Sequence, residues 1–329
     1  MPPRVAGSAS GGGRRSVALQ PHEYQFRASD GTELHMRRWL PDGEPRAVLQ
    51  IAHGMAEHGG RYGRFAAALA GAGIAVHAGD HRGHGRTAVK AADLGFFAER
   101  DGWRRVLDDL WQINRNLAVQ HPGLPIFFFG HSMGSFLGQQ LMAEHGAALA
   151  GVILCGSDGP PGPLVTLGRL VAQIERFRLG PRGRSVLLNR LSFGEFNRAF
   201  RPARTEFDWL SRDPAEVDAY IADPLCGFVC CTELWCELLA NLPRVAAPEM
   251  LARLPGDLPL LVIAGTADPV SAGTRGLTRL LAAWQAAGLT HVTHVFYKDA
   301  RHELLNETNR DEVTADILHW LSDRLPSRA

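Results

Sequence analysis

The chain contains no hydrophobic run long enough to cross a membrane. Its 329 residues are 45% hydrophobic and 21% charged, but no apolar stretch approaches the roughly 20 residues that a membrane-spanning helix needs. Residues 1–15 are rich in Gly, Ser and Arg and lack the apolar segment of a signal peptide. We therefore predict a disordered tail over residues 1–20 and a cytoplasmic protein.

The chain also has no excess of positive or negative charge, and it contains few cysteines. Lys and Arg number 35 against 34 for Asp and Glu, so the formal net charge is +1 and the electrostatic case for a nucleic-acid partner disappears. Four of the five cysteines lie between Cys226 and Cys236, at spacings that fit no common zinc pattern. We expect no metal site, and cysteines that are reduced and packed as small hydrophobic side chains.

Short apolar segments alternate with helical patterns along most of the chain. A hairpin is predicted around Asp30-Gly31, and a long helix is predicted around Val106–Leu117. The predicted strands are Tyr24–Arg27, Glu33–Leu40, Ala47–Ala52, Ile74–Ala78, Ile126–Phe129, Val152–Cys155, Leu258–Ala264 and His294–Tyr297. Because strands that alternate with helices form βαβ units, we predict an α/β fold with a mostly parallel eight-stranded sheet and helices on both faces.

The alternation stops between Gly159 and Leu254, where no convincing strand pattern occurs. An amphipathic helix is predicted at Leu167–Phe177, and either contact with lipid or ordinary packing on the core would explain its apolar side. A helical block between two halves of one sheet is typical of an inserted cap. We predict a core over residues 21–158 and 255–329 and a helical cap over residues 159–254.

A Gly-x-Ser-x-Gly motif, Gly130-His131-Ser132-Met133-Gly134, directly follows the predicted strand Ile126–Phe129. Strand, sharp turn and helix together form the context in which a serine hydroxyl is exposed as a nucleophile. The glycines fit because such a turn leaves no room for neighbouring side chains. Ser132 is therefore the predicted nucleophile.

Two further loops supply the partners that such a serine requires. Asp268 follows the apolar strand Leu258–Ala264, and His302 follows the last predicted strand. A serine hydroxyl is too weakly acidic to attack unaided, so His302 is predicted to take its proton and Asp268 to orient the imidazole. Asp299 is the nearest rival for the acid. The chain order Ser, Asp, His is that of the α/β-hydrolase triad.

The Gly-rich segment His53–Tyr62 is the fourth loop with suitable chemistry. Its backbone can direct the Met55 N–H at an oxyanion, with the Met133 N–H as the second donor. Glu57, Arg61 and His131 are predicted to line the polar end of the pocket. A purely structural ion pair between Glu57 and Arg61 remains an equal alternative.

These motifs resemble those of the α/β-hydrolases of the monoacylglycerol lipase, lysophospholipase and serine aminopeptidase-like group. The resemblance covers residues 23–321 and rests on four segments: His53–His58 with Arg61-Tyr62, Asp80–Gly85, Gly130–Gly134 and Asp223–Leu225. It implies ester hydrolysis through an acyl-enzyme, no cofactor, and a helical cap over an apolar acyl tunnel. Ser135 stands where members of the group often have glycine.

The most direct interpretation is a serine esterase for monoacylglycerol or lysophospholipid-type esters, with a transient membrane-surface contact through the cap. Three alternatives remain open. The first is a carboxylesterase for small soluble esters. The second is an aminopeptidase, which needs cap carboxylates such as Glu195, Glu206 and Asp208 to converge on an α-ammonium group. The third is a non-catalytic binding protein on the same fold.

Overall fold

An eight-stranded sheet forms the centre of the molecule. The computed structural model describes residues 19–325, so all but the last two residues of the tail predicted at 1–20 lie outside the described residues. The strands are β1 His22–Arg27, β2 Glu33–Trp39, β3 Ala47–Ala52, β4 Ile74–Gly79, β5 Ile126–His131, β6 Gly151–Cys155, β7 Leu260–Gly265 and β8 Val292–Tyr297. Their order in the sheet is β1-β2-β4-β3-β5-β6-β7-β8.

The sheet is antiparallel at one edge and parallel elsewhere. β1 pairs with β2 and β2 with β4 in antiparallel fashion, whereas every later pair is parallel. The central strands are buried on both faces, which explains why β5 is a continuous apolar run without alternation. Phe128 packs into the hydrophobic cluster on one face, and Phe127 and Phe129 pack into the cluster on the other.

Helices cover both faces and fill the interval between β6 and β7. They are α1 Gly63–Gly71, α2 Gly102–Gln120, α3 Met133–His145, α4 Leu164–Leu179, α5 Val186–Asn189, α6 Glu195–Arg198, α7 Pro214–Ala222, α8 Thr232–Asn241, α9 Pro248–Leu251, α10 Arg275–Ala286 and α11 Arg310–Ser322. A π-helical turn, Arg190–Gly194, joins α5 to α6. The predicted fold class is confirmed. None of these helices is both long enough and apolar enough to span a bilayer within residues 19–325.

The interval between β6 and β7, where the cap is predicted, contains α4 to α9. Helix α4 includes the predicted amphipathic segment, and most of its large apolar side chains are exposed, although Val171 packs against the core. Ile174 is 55% exposed and Phe177 is 94% exposed. Only Ala172 and Glu175 of this helix are buried. The structure therefore does not bury the apolar side of α4 in the core.

Two local features lie at the starts of α8 and α11. Cys226 and Cys230 are buried in the loop before α8, and burial raises the pKa of both thiols. Asn309 immediately precedes α11, but it forms no side-chain cap with the helix backbone. Its amide donates instead to Glu312 Oε2 at 2.9 Å, and its Oδ1 accepts from Arg212 at 2.9 Å.

Candidate active site

Ser132 lies on a strained elbow between β5 and α3. Its φ and ψ are 50° and −118°, a region that residues with a side chain rarely adopt. Its N–H donates to the carbonyl of Cys155 at 2.9 Å, which ties the elbow to the end of β6. A Cβ on Gly134 would lie 2.1 Å from the carbonyl oxygen of Ala52. The second glycine of the motif is therefore required by contact with the backbone of β3.

Asp268 and His302 form a buried pair at the ends of β7 and β8. His302 Nδ1 lies 2.9 Å from Asp268 Oδ2, and the two side chains are 2% and 0% exposed. Because a carboxylate only accepts hydrogen bonds, Nδ1 carries the proton and Nε2 is free to accept one. Asp299 is exposed and has a positive φ of 57°, so it is not the partner of this imidazole.

The electrostatic surroundings of His302 favour its protonated form. Burial is the largest single influence and lowers the pKa of this imidazole, but the carboxylates of Asp268, Glu303 and Glu57 together raise it, so the net pKa lies above its ordinary value. His131 behaves in the opposite way, because burial and the nearby His302 lower its pKa to about 4. The two rings lie 4.8 Å apart. One neutral and one readily charged imidazole thus share the site.

The loop after β3 approaches the serine closely. A Cβ on Gly54 would lie 3.2 Å from the Cβ of Ser132, so only glycine lets the backbone come this near. The Gly54 N–H donates to Glu57 Oε1 at 2.6 Å, and this hydrogen bond holds the loop in place. Met55 follows Gly54. Met133 is the first residue of α3, and the N–H groups in the first turn of a helix have no partner inside the helix. Both methionines line the same cavity as Ser132.

A cluster of neutral histidines supports this loop from the other side. His53 Nε2 accepts from the N–H of His81 at 2.9 Å, and His81 Nε2 donates to the carbonyl of His53 at 3.1 Å. Burial lowers the pKa of His81 to about 3 and that of His84 to about 4. The imidazoles are therefore uncharged near neutral pH, and they brace the backbone immediately before Gly54.

The polar end of the site contains a buried ionic group that the sequence only partly indicates. Arg61 donates to Glu57 Oε2 at 2.9 Å and to both oxygens of Glu303 at 2.5 and 2.7 Å. Burial alone would raise the pKa of Glu303, but Arg61 lowers it to about 2. The structural ion pair of Glu57 and Arg61 is thus formed, and Glu303 is a third member that sequence reasoning missed. Its one signal is its position directly after His302.

These residues meet at one end of a cavity of about 430 Å³. Ser132, His302, Glu57, Glu303 and His131 line its polar end, whereas Arg61 lies behind the two glutamates and lines a separate cavity of about 10 Å³. The rest of the wall is mostly apolar and comes largely from the helical interval between β6 and β7. It includes Phe136, Val165, Leu188, Phe193, Phe196, Trp209, Leu210, Tyr220, Trp235, Leu238 and Val270.

With this geometry established, similarity to known proteins becomes informative. The family described as serine aminopeptidase, S33, matches residues 43–309. The chain belongs to this family. It is similar to the monoacylglycerol lipase of Mycolicibacterium smegmatis, at 30% identity over 94% of this chain and 100% of that protein. It is also similar to the human monoglyceride lipase, at 31% identity over 90% of this chain and 89% of that protein.

Solved structures have the same fold. A thermostable carboxyl esterase from Bacillus coagulans, crystallised with glycerol, matches with a TM-score of 0.85 and 28% identity over 93% of this chain and 99% of that chain. A monoglyceride lipase variant from Saccharomyces cerevisiae matches with a TM-score of 0.73 and 18% identity over 94% and 96% of the chains, which shows a shared fold. The predicted resemblance to this group of α/β-hydrolases is confirmed.

The family description names an aminopeptidase, but the three cap carboxylates considered for that activity do not converge. Glu195 forms an ion pair with Arg198 at 3.3 Å. Asp208 accepts from the N–H of Arg204 and the hydroxyl of Thr205. Neither residue lines the main cavity, and nor does Glu206, which is exposed. In this family member they form no site for an α-ammonium group.

The segment between β6 and β7 contacts the loop that precedes α1. The carbonyl of Ala56, a residue with φ of 57°, accepts from the Tyr220 hydroxyl at 2.9 Å and from the Gly227 N–H at 3.0 Å. Asp223 Oδ2 accepts from His58 Nε2 at 2.9 Å. The loop that carries Gly54 and Met55 is therefore held by the helical segment as well as by the core.

The same contact includes one group with three candidate metal ligands within residues 19–325, namely His58, Asp223 and Cys226. His58 Nδ1 accepts a hydrogen bond from the N–H of Gly60 at 3.1 Å. The ring proton must therefore lie on Nε2, where it is donated to Asp223. Neither nitrogen then has a lone pair free for a cation, so the donor set does not fit a metal ion.

Proposed function

We propose that this protein is a serine hydrolase that cleaves lipid esters, with monoacylglycerol as its substrate. The observation that carries the proposal is the convergence of an elbow serine and a buried His–Asp pair at the polar end of an apolar cavity. The relatives named monoacylglycerol lipase and monoglyceride lipase support the same substrate class. A protein that only binds its ligand has no need for all three groups, so the proposal favours catalysis.

The reaction begins with transfer of the Ser132 hydroxyl proton to His302 Nε2, as Ser132 Oγ attacks the ester carbonyl carbon. Asp268 keeps the other ring nitrogen protonated and stabilises the imidazolium. The N–H groups of Met55 and Met133 bind the oxyanion of the tetrahedral intermediate. The imidazolium then protonates the leaving alcohol oxygen, and an acyl-enzyme on Ser132 remains. Water activated by the same imidazole hydrolyses this ester and regenerates the serine.

The two ends of the cavity suit the two parts of a monoacylglycerol. The apolar wall accommodates the acyl chain, and the predicted cap over residues 159–254 supplies most of it. Glu57, Glu303 and His131 line the end where the glycerol leaves. Two carboxylates are neutralised by only one guanidinium, that of Arg61. A polar end with an excess negative charge favours neutral glycerol over the phosphodiester of a lysophospholipid.

A substrate panel tests this proposal. Wild type and Ser132→Ala are compared on short-chain and long-chain monoacylglycerols, a lysophospholipid, a small chromogenic ester and an aminoacyl-anilide. Ser132-dependent hydrolysis that is fastest with long-chain monoacylglycerol is the expected result. Turnover of the small ester alone would indicate a general carboxylesterase, and preference for the anilide would indicate a peptidase. Equal activity in Ser132→Ala would contradict the nucleophile.

We further propose that the outer side of α4 docks on a lipid surface. Its exposed apolar side chains are Leu164, Leu167, Leu170, Ile174 and Phe177. Leu164 also lines the active-site cavity, so the exposed side is continuous with the cavity wall. Arg176 and Arg178 are exposed on the same helix but form ion pairs with Glu233 and Glu175, so burial of the apolar side chains supplies the attraction to lipid. A lipid ester can thus pass from the surface to Ser132 without crossing water.

Vesicle binding tests the docking proposal. The variant Leu170→Glu/Ile174→Glu should lose sedimentation with vesicles of phosphatidylcholine and phosphatidylglycerol but keep its activity on a soluble ester. The matched control is Val89→Glu/Val119→Glu, which changes two apolar side chains that are 86% and 79% exposed outside this helix. Unchanged vesicle binding by the α4 variant would overturn the proposal. It would also be overturned if the variant loses association between copies of the chain and keeps its binding to vesicles.

A further inference from the structure

Trp209 covers one face of the His302 imidazole. The two ring centroids lie 5.0 Å apart at an interplanar angle of 35°, and the indole is 5% exposed. His131 contacts the same imidazole at 4.8 Å. Asp268 holds His302 only at Nδ1. A single hydrogen bond leaves the imidazole ring free to rotate about the line that joins Nδ1 to Oδ2. Contacts with neighbouring rings must therefore determine where Nε2 points.

The backbone around Trp209 is bonded directly to the loop that carries the histidine. The N–H of His302 donates to the carbonyl of Trp209 at 3.4 Å, and the N–H of Glu303 donates to the carbonyl of Leu210 at 2.7 Å. The Ser211 hydroxyl donates to the carbonyl of Asn306 at 2.8 Å. These bonds make residues 209–211 part of the histidine loop, although they lie in the interval between β6 and β7.

Aromatic packing holds the indole in place. Phe193, in the π-helical turn, stacks on Trp209 with centroids 5.5 Å apart at 16°, and Phe196 contacts it at 5.2 Å. The indole Nε1 is buried and has no hydrogen-bond partner in the described chain. No polar interaction of the side chain accounts for a tryptophan at this position, so shape and ring contact are its contribution.

We propose that Trp209 is a positioning residue for His302, which keeps the imidazole aligned with Ser132 and shields it from water. The proposal rests on the catalytic role assigned to Ser132 and His302 above. Misplacement of a reacting group by about 1 Å can cost on the order of 10²-fold in rate. Trp209→Val should therefore lower kcat by about 10- to 100-fold and change KM for a small soluble ester by less than about threefold. Trp209→Phe, which keeps an aromatic ring, should recover most of the loss.

The pH profile gives a second readout, which would not change if Trp209 only lined the cavity. The charged and titratable groups that face His302 are Asp268, Glu303, Glu57 and His131, and all of them remain in the variant. Removal of the indole admits water, which stabilises the imidazolium. The acid limb of kcat/KM should therefore move to higher pH in Trp209→Val, by about half a unit.

The matched control is Trp111→Val. Trp111 also stacks on a histidine, because its ring centroid lies 3.9 Å from that of His145 and the two ring planes differ by 4°. Neither residue lines the active-site cavity. This variant should keep the wild-type kcat and pH profile. Thermal unfolding of each variant shows whether it is folded, and Trp209→Leu replaces Trp209→Val if the latter does not fold.

Two negative outcomes are distinguishable. A higher KM for Trp209→Val with unchanged kcat and pH profile would reduce Trp209 to a wall of the cavity and overturn the inference. Persistent activity in Ser132→Ala would instead overturn the proposed function, whatever the Trp209 variants do.

Discussion

The side chain of Glu57 provides the sharpest test of how the loop at Gly54 is held. Its Oε1 accepts from the Gly54 N–H at 2.6 Å and from the Tyr62 hydroxyl at 2.9 Å, and its Oε2 accepts from Arg61 at 2.9 Å. Glu57→Gln keeps the shape but removes the charge. The amide oxygen can replace Oε1, and the NH₂ group then faces the donor on Arg61. One charge-assisted hydrogen bond is lost and two others become neutral.

The expected magnitude follows from these contacts. A hydrogen bond to a charged group contributes about 1.5–3 kcal/mol and a neutral one about 0.5–1.5 kcal/mol. Arg61 keeps both bonds to Glu303, and the excess negative charge of the group disappears, which offsets part of the loss. We expect Glu57→Gln to reduce the free energy of unfolding by about 2–4 kcal/mol. Loss of one oxyanion donor costs about 10²–10³ in kcat, so a loosened loop should cost about 10- to 100-fold.

Chemical denaturation and the hydrolysis of a small chromogenic ester measure the two effects. A substrate without glycerol is essential, because it separates the positioning of the loop from any contact between Glu57 and the leaving group. The control is Glu33→Gln, whose ion pair with Arg27 spans 3.5 Å between side chains that are 54% and 75% exposed. That variant should stay within about 0.5 kcal/mol of wild type. A Glu57→Gln variant with the free energy of unfolding and the kcat of wild type would refute the reasoning.

Four further results are expected. Ser132→Ala and His302→Ala should each lower kcat by about 10⁴–10⁶, and the double variant should lose little more, because the groups act as a unit; additive small losses would contradict the triad. Asp268→Asn should lower kcat by about 10⁴, whereas Asp299→Asn, which changes an exposed side chain, should have little effect, and the reverse result would reassign the acid. The acid limb of kcat/KM should lie above pH 6.5, because the pKa of His302 is raised, and Glu303→Gln should move this limb to lower pH by removing a negative charge that favours the imidazolium. Gly134→Ala places a Cβ 2.1 Å from a backbone oxygen and should destabilise the protein by about 3 kcal/mol or more, whereas Gly71→Ala at the end of α1, where nothing lies within 4 Å, should be neutral or stabilising by up to about 1 kcal/mol; thermal unfolding compares the two.

The core of the fold could be predicted because its signals are local. The strand predicted at Ala47–Ala52 coincides with β3, since a buried parallel strand is a continuous apolar run bounded by turn residues. The hairpin around Asp30-Gly31 follows from turn chemistry in the same way. The three four-residue helices of the β6–β7 interval, α5, α6 and α9, have no individual prediction, because segments as brief as Val186–Asn189 carry no periodic signal. The outward orientation of α4 depends on tertiary packing, which its own periodicity cannot report.

The candidate site shows the same division. The sequence placed Ser132, Asp268 and His302 in one site because each follows a predicted parallel strand, and such strand ends meet at one edge of a sheet. The sequence carries no comparable signal for Glu303 and Trp209. Glu303 belongs to the site through Arg61, 242 residues away, and Trp209 through a ring contact with the histidine loop. Contacts of this range are set by the assembled fold, and no motif spacing encodes them.

The double acceptor at the carbonyl of Ala56 limits how modular this enzyme can be. Tyr220 and Gly227 supply its two donors, and both come from the segment between β6 and β7. Excision of the segment between β6 and β7 would leave the loop that carries Gly54 and Met55 without these two hydrogen-bond donors, so we expect such a core to lose its activity on esters. A chimera should therefore transplant α4 to α6 alone and retain the native chain from Asp208 to Gly227, so that the apolar wall of the cavity changes while the loop of Gly54 and Met55 keeps its hydrogen bonds.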